Sequence, residues 1–195
     1  MDYNTAKKEF LDGNSDVMSW FEQNGYNLEY AYCLFLNGNH DKALNVFEGI
    51  CSQNIRADWA KKLIQLIKNN NFSIFPTYLQ VRNFLEIDLN FLIKFNQIEY
   101  AQVILNNAEQ FFEICRESYK FIGRTLYYNN FKDLALEFLI QAKSKFYNDA
   151  ELHYLLGKIY LEKKDSRRAL KAIKTCLKLI PNYKPALDIL NKLSS

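Results

Sequence analysis

Glycine and proline are scarce in this chain. Its 195 residues include six Gly and three Pro, well under half of the roughly 12 % that the pair share in an average globular protein. No glycine occurs between Gly49 and Gly123. Folds built from many tight turns need these residues, as do loops whose backbone must close around a phosphate. Their scarcity excludes an immunoglobulin-like sandwich, a β-barrel, a dinucleotide-binding fold and a P-loop, and it favours long helices joined by short connections.

Other absences narrow the chemistry. The best apolar run, Phe91 to Phe95, is broken by Lys94, far short of the roughly 20 residues of a membrane span. The opening Met1-Asp2-Tyr3-Asn4 has neither the basic flank nor the apolar stretch of a signal peptide. There are two histidines, His40 and His153, neither with Cys, Asp or Glu at metal-ligand spacing. No G-x-S-x-G or H-E-x-x-H motif is present, and Glu86 and Asp88 fall on different faces of a helix. The sequence therefore implies no metal, no cofactor and no enzymatic activity. Cys33, Cys51, Cys115 and Cys176 include no C-x-x-C pair; all lie in apolar segments and read as reduced core thiols of a cytoplasmic protein.

What the chain has in quantity is apolar and aromatic side chain: 49 % hydrophobic residues, with 15 Phe and 13 Tyr, which is not a disordered composition. The net charge of +3 is unevenly spread. Residues 143–195 hold 12 Lys and Arg against 5 Asp and Glu, whereas residues 1–142 hold 13 against 17.

The organisation is clearest from Ala150 onward. Leu152, Leu155, Leu156, Ile159 and Tyr160 recur at helical spacing, Lys163-Lys164-Asp165 interrupts, and Ala169, Leu170, Ile173, Leu177 and Leu179 follow before Pro181. That pattern predicts a helical hairpin. A shift of 34 residues lays Gly157 on Gly123, Ala169 on Ala135, Ile173 on Leu139 and Cys176 on Ala142; a second shift reaches Ala101, Leu105 and Ala108. Antiparallel helices approach closely only where one presents Gly or Ala to a bulky residue of the other, so these positions predict the contacts within each hairpin.

The unit resembles a tetratricopeptide repeat. Residues 150–183 carry His153, Leu156, Gly157, Tyr160, Ala169, Ile173, Cys176 and Pro181 at the motif positions. Residues 116–149 carry Tyr119, Ile122, Gly123, Leu126, Ala135, Leu139 and Ala142, with Tyr147 in place of the closing Pro. Residues 82–115 match in the second helix only, and Asp88-Leu89 stands where Leu-Gly is expected. A looser hairpin at 24–53, with Ala31, Ala43 and Phe47, is out of phase with these three. Between them, residues 55–81 are either half of a degenerate repeat or an insertion, with a helix from about Ile55 to Lys68, a break at Asn69-Asn70-Asn71, and Pro76 as a helix-starting residue. Residues 5–22 read as one or two short helices, and Pro185 to Leu193 as a final helix. The resemblance implies an all-α fold: N-terminal helices over 1–81, then a right-handed superhelical array of antiparallel hairpins over 82–195 ending in a capping helix at 184–195, in one continuous unit.

The resemblance also implies a function, that of a scaffold or adaptor holding a peptide or helix of another protein in an inner groove. Carried over position by position, that groove includes Asn90, Lys94, Lys120, Arg124, Tyr127, Tyr128, Tyr154 and Lys158, with Leu28, Tyr32, Phe35 and Leu36 from the looser hairpin. Cations beside tyrosines suit acidic and apolar ligand groups. Family members that clamp a chaperone's C-terminal carboxylate use Lys and Asn where Leu28 and Tyr32 stand here, which argues against that activity. A tetratricopeptide-type chaperone for secreted proteins is a narrower alternative that the positive net charge fits poorly. A separate feature is the stripe Arg167, Lys171, Lys174 and Lys178, one face of a helix. It reads either as a solvated outer face or as a docking patch for nucleic acid, an anionic surface or an acidic protein. No stacking motif accompanies it, so nucleic acid is the less favoured partner.

Overall fold

The computed structural model describes residues 1–69 and 76–194. Every regular element among them is helical. The chain divides into two compact units, residues 1–114 and 115–195.

The first unit opens with α1 (Tyr3–Leu11) and α2 (Met18–Gln23), followed by the hairpin α3 (Asn27–Leu36) and α4 (His40–Ile50), and then α5 (Ile55–Asn69). The expected break at Asn69-Asn70-Asn71 falls largely outside the described residues. Pro76 precedes the next helix without opening it: Thr77 caps α6 (Tyr78–Asn83) in a capping box with Gln80, which satisfies two orphan donors reciprocally. The backbone then widens into a π-helical turn, Phe84–Asp88, before continuing as α7 (Leu89–Lys94). The wide turn sits where the repeat pattern loses its Leu-Gly pair. The second helix of this hairpin is α8 (Ile98–Asn106), and it is shorter than the repeat pattern implies. Asn107 turns its side-chain amide onto the Val103 carbonyl, 2.7 Å away, and α9 (Ala108–Ile114) starts afresh.

The π turn carries a buried acid. Asp88 accepts hydrogen bonds from the Tyr32 hydroxyl (3.2 Å) and the Asn83 amide (2.6 Å). The guanidinium of Arg56, 5.8 Å from the Tyr32 ring, adds a favourable charge. Burial outweighs these partners and pushes the Asp88 carboxyl up to about 7.

The second unit is two hairpins and a closing helix: α10 (Ser118–Tyr128) with α11 (Lys132–Lys145), α12 (Ala150–Glu162) with α13 (Ser166–Leu179), and α14 (Lys184–Ser194). Each hairpin is closed by the contact that its small residues predict. A Cβ placed on Gly123 would lie 2.6 Å from Leu139 Cγ, and one on Gly157 would lie 2.5 Å from Ile173 Cδ1. Ala135 and Ala169 are fully buried against the same crossings. Helix α14 sets Ala186, fully buried, beside Ile173 and Cys176. Cys33, Cys115 and Cys176 are buried free thiols, and Cys51 is partly buried.

One turn recurs in all four hairpins. Gly38, Asn96, Asn130 and Lys164 take positive φ of 80°, 57°, 66° and 62°. The next residue's N–H donates back to the carbonyl five residues earlier: Asn39 to Leu34, Gln97 to Leu92, Phe131 to Leu126 and Asp165 to Tyr160, at 2.7–3.0 Å. This is the left-handed helix stop, which turns the chain within a few residues. The last three are 34 residues apart, so the turn keeps the same period as the Gly and Ala contacts.

Two outcomes follow for stability. Gly123→Ala gains about 1 kcal/mol of helix propensity but overpacks Leu139, at a cost of about 1–3 kcal/mol. Urea unfolding is expected to show net destabilisation, and a Leu139→Ala background to remove it; additive costs would refute the contact. For Asp88, the raised carboxyl pKa means that its contribution is full below pH 4 and is lost as pH rises through about 7. Between pH 5 and 8 the wild type is expected to lose about 2–3 kcal/mol relative to Asp88→Asn. Parallel pH profiles for the two proteins would contradict this.

Candidate interaction face of the second unit

Helices α10 and α12 are laced side by side by polar contacts across one surface. The Lys120 ammonium lies 2.7 Å from Glu117 Oε1, 2.6 Å from Asp149 Oδ2 and 3.6 Å from Glu151 Oε2. Its side chain is only 9 % exposed. Burial alone would lower its pKa, but the hydrogen bonds to Asp149 and Glu117 prevail and hold it at about 12. Asp149 serves twice, because its other oxygen accepts from the Leu152 N–H and caps α12. Next along, Arg124 Nη1 pairs with Glu151 Oε1 at 2.6 Å, and its guanidinium also rests over the Phe121 ring. The Tyr127 hydroxyl donates to Glu162 Oε1 at 2.6 Å, and Lys132 of α11 holds the other oxygen at 2.8 Å. Burial, with the hydrogen bond to Glu162, pushes the Tyr127 hydroxyl well above its ordinary range.

Lys158 stands in a different setting. Its ammonium lies 4.9 Å from the centre of the Tyr127 ring, 5.8 Å from Tyr128 and 5.7 Å from Tyr154. Such distances are within cation–π range. Tyr154 meets Tyr183 edge to face at 5.3 Å, and Tyr128 is 63 % exposed. The aromatic surface therefore continues from α10 across α12 toward α14. Between α12 and α14 it borders a cavity of about 300 Å³ lined by Tyr154, Lys158, Leu161, Pro185, Asp188 and Ile189.

The structure thus brings Lys120, Arg124, Tyr127, Tyr128, Tyr154 and Lys158 onto one surface but divides their roles. Lys120 and Arg124 have their charges met by acids of the same unit, whereas Tyr128, Tyr154 and Lys158 present surface. Asn90 and Lys94 lie on α7 of the first unit, where the Lys94 ammonium donates to the Leu11 carbonyl at 2.7 Å. Of the inner positions expected from the 24–53 hairpin, Tyr32, Phe35 and Leu36 are buried in the core of the first unit. His153, one of the two histidines, is buried and bonded through Nε2 to the Tyr147 carbonyl at 2.8 Å. Arg167, Lys171, Lys174 and Lys178 lie exposed on the outer side of α13, opposite its buried Ala169, Ala172, Ile173 and Cys176. Sequence reasoning missed Asp149, Tyr183 and Asp188. Of these, Asp149 carries a readable signal as an N-cap residue directly before an apolar-periodic helix.

Among the described residues, no group of three His, Cys, Asp or Glu is placed to hold a metal ion, and no helix is long and apolar enough to cross a membrane. The tetratricopeptide repeat family model matches residues 150–183, the segment that forms α12 and α13. No curated protein matches the chain. Among solved structures it is similar to the crystal structure of the APC/C hetero-tetramer Cut9-Hcn1, at 17 % identity over 93 % of this chain and 39 % of that one, with a TM-score of 0.46. It is also similar to the crystal structure of YrrB, a tetratricopeptide protein with an unusual peptide-binding site, at 16 % identity over 91 % of this chain and 100 % of that one, with a TM-score of 0.43. The chain spans about two-fifths of the Cut9-Hcn1 chain it matches.

The Lys120 cluster makes its own prediction. Lys120→Met keeps the aliphatic stem but takes the cation from the buried Asp149 carboxylate, and breaking a buried pair typically costs about 3–5 kcal/mol. Chemical denaturation at pH 7 is expected to show a loss of this order. Adding Asp149→Asn to Lys120→Met should recover most of the loss; a double variant no more stable than Lys120→Met would assign Lys120 a packing role only.

Proposed function

We propose that this chain is a non-enzymatic protein-interaction scaffold that holds a peptide or helix of another protein against the tyrosine face of its second unit. The observation that carries the reading is the arrangement around Lys158, where three tyrosines gather about one ammonium beside an open cavity. Tyrosines provide large contact area with few rotors to immobilise. A cation among them adds direction for one carboxylate or carbonyl of the ligand. The tetratricopeptide repeat at 150–183 supports the same reading, since its first helix, α12, supplies Tyr154 and Lys158.

In this reading Lys120 and Arg124 act by fixing α10 against α12. They hold Tyr127 and Tyr128 in place for the ligand without meeting it. The ligand is predominantly apolar, with an acidic or carbonyl group near Lys158, because the cavity combines Tyr154, Leu161, Pro185 and Ile189 with two cations, Lys158 and Lys192, balanced by Glu162 and Asp188.

Peptide display on the immobilised protein tests this. Selected sequences are expected to be rich in large apolar residues and to lose about tenfold or more in affinity for Tyr154→Ala and Lys158→Ala. Both variants should keep the wild-type helical circular dichroism. Selected peptides that bind these variants as well as they bind the wild type would remove the site assignment.

A further inference from the structure

We infer that the outer side of α13 is a second docking site, separate from the tyrosine face, for an extended acidic peptide with carboxylates at alternate positions. Between Asp165 and Asp188 the chain carries six Lys and Arg and no acid. Four of these cations, Arg167, Lys171, Lys174 and Lys178, surround a trough of about 430 Å³ whose floor includes Leu170 and Tyr147. In the same unit Lys120, Arg124, Lys132 and Lys163 each pair with an acid. Among the described residues, none of the four trough cations has an ion pair or a side-chain hydrogen bond. They are thus gathered at one place without an internal acid to neutralise them, and their mutual repulsion is relieved by an anionic occupant.

The geometry selects the form of that occupant. The four cations rise along α13 in steps of about 6, 4.5 and 6 Å, a row about 16 Å long. An extended peptide presents same-side residues about 6.6 Å apart, so carboxylates at every second residue run in near register with the row. The residues between them point away from the helix. The Tyr147 ring, half exposed at the trough, has the Lys143 ammonium 5.9 Å from its centre and the His153 ring at 4.7 Å in a T-shaped contact. A second cavity of about 200 Å³ shares Tyr147, Lys171 and Thr175 with the trough and adds Lys143 and Arg168 to its walls, so the positive field extends beyond the row itself.

The test is fluorescence anisotropy on the full chain with three labelled probes: a nine-residue peptide with Glu at alternate positions and Ser between, the same peptide with Gln for Glu, and a nine-nucleotide oligouridine. The Glu peptide is expected to bind, to weaken with added salt, and to lose about tenfold or more with Lys171→Glu/Lys174→Glu. Both substitutions are on exposed positions, so helicity should be retained. The Lys158→Ala variant should bind this peptide as the wild type does, which separates the trough from the tyrosine face. Equal binding of the Gln peptide, tighter binding of the oligouridine, or an unchanged affinity in the double variant would each overturn the proposal. A probe with its Glu residues contiguous checks the register: if it binds as tightly as the alternating one, the alternate-position claim fails.

Discussion

Each hairpin of the second unit depends on a missing side chain. Where Gly157 meets Ile173 and Gly123 meets Leu139, there is no room for even a methyl group, and this close approach sets how the two helices of each hairpin cross. The left-handed turns at Asn130 and Lys164 then return the chain at a fixed distance from that crossing. Contact and turn share one 34-residue period, so the local stop signal and the tertiary packing call for the same geometry. Agreement of this kind across levels is what lets a short unit be repeated. In the first unit, Asp88-Leu89 replaces the small residue, the helix widens into a π turn, and a buried carboxyl is held by Tyr32 and Asn83.

Charge is distributed by the same economy of space. The inner surface of α10 and α12 places Lys120 and Arg124 within reach of Asp149 and Glu151, so these cations serve as ties between neighbouring hairpins. A tie of this sort adds little net stability over an apolar pair, yet is costly to break from one side. It therefore acts mainly to fix how the two first helices sit. Once those charges are met internally, what the surface presents is aromatic: the tyrosines around Lys158.

The fold was largely legible because its determinants are local or periodic. Gly123, Gly157 and their alanine partners recur at constant spacing. The hairpin expected at 24–53 follows from the spacing of Ala31, Ala43 and Phe47, and the structure forms it as α3 and α4. Gly38, Asn96 and Asn130 are residue types that tolerate positive φ, whereas Lys164 in the equivalent turn gives no sign of it. The interruption at Asn107 was hidden for a similar reason, since asparagine within an apolar helical pattern does not reveal that its amide will bond back to Val103. The site was less legible. Lys120 is a groove position by motif, but its burial depends on Asp149, 29 residues on, and no local pattern records that pairing. Tyr32, Phe35 and Leu36 look like lining residues until the helices packed around them are known.

The two helices of the repeat at 150–183 therefore carry different chemistry on opposite sides of one crossing. Helix α12 displays Tyr154 and Lys158, and α13 displays a row of cations. Because Gly157 leaves no slack between the helices, the two surfaces are held in a fixed relation by the core rather than by a flexible connection. A ligand on the tyrosine face gains from apolar area and is only weakly sensitive to salt. A ligand on the cationic row gains from charge and is strongly sensitive to it. On the proposal that both faces take ligands, salt dependence distinguishes which face a given partner uses, and a partner carrying both an apolar segment and an acidic one would engage the two together, with the second contact strengthened by its tether to the first.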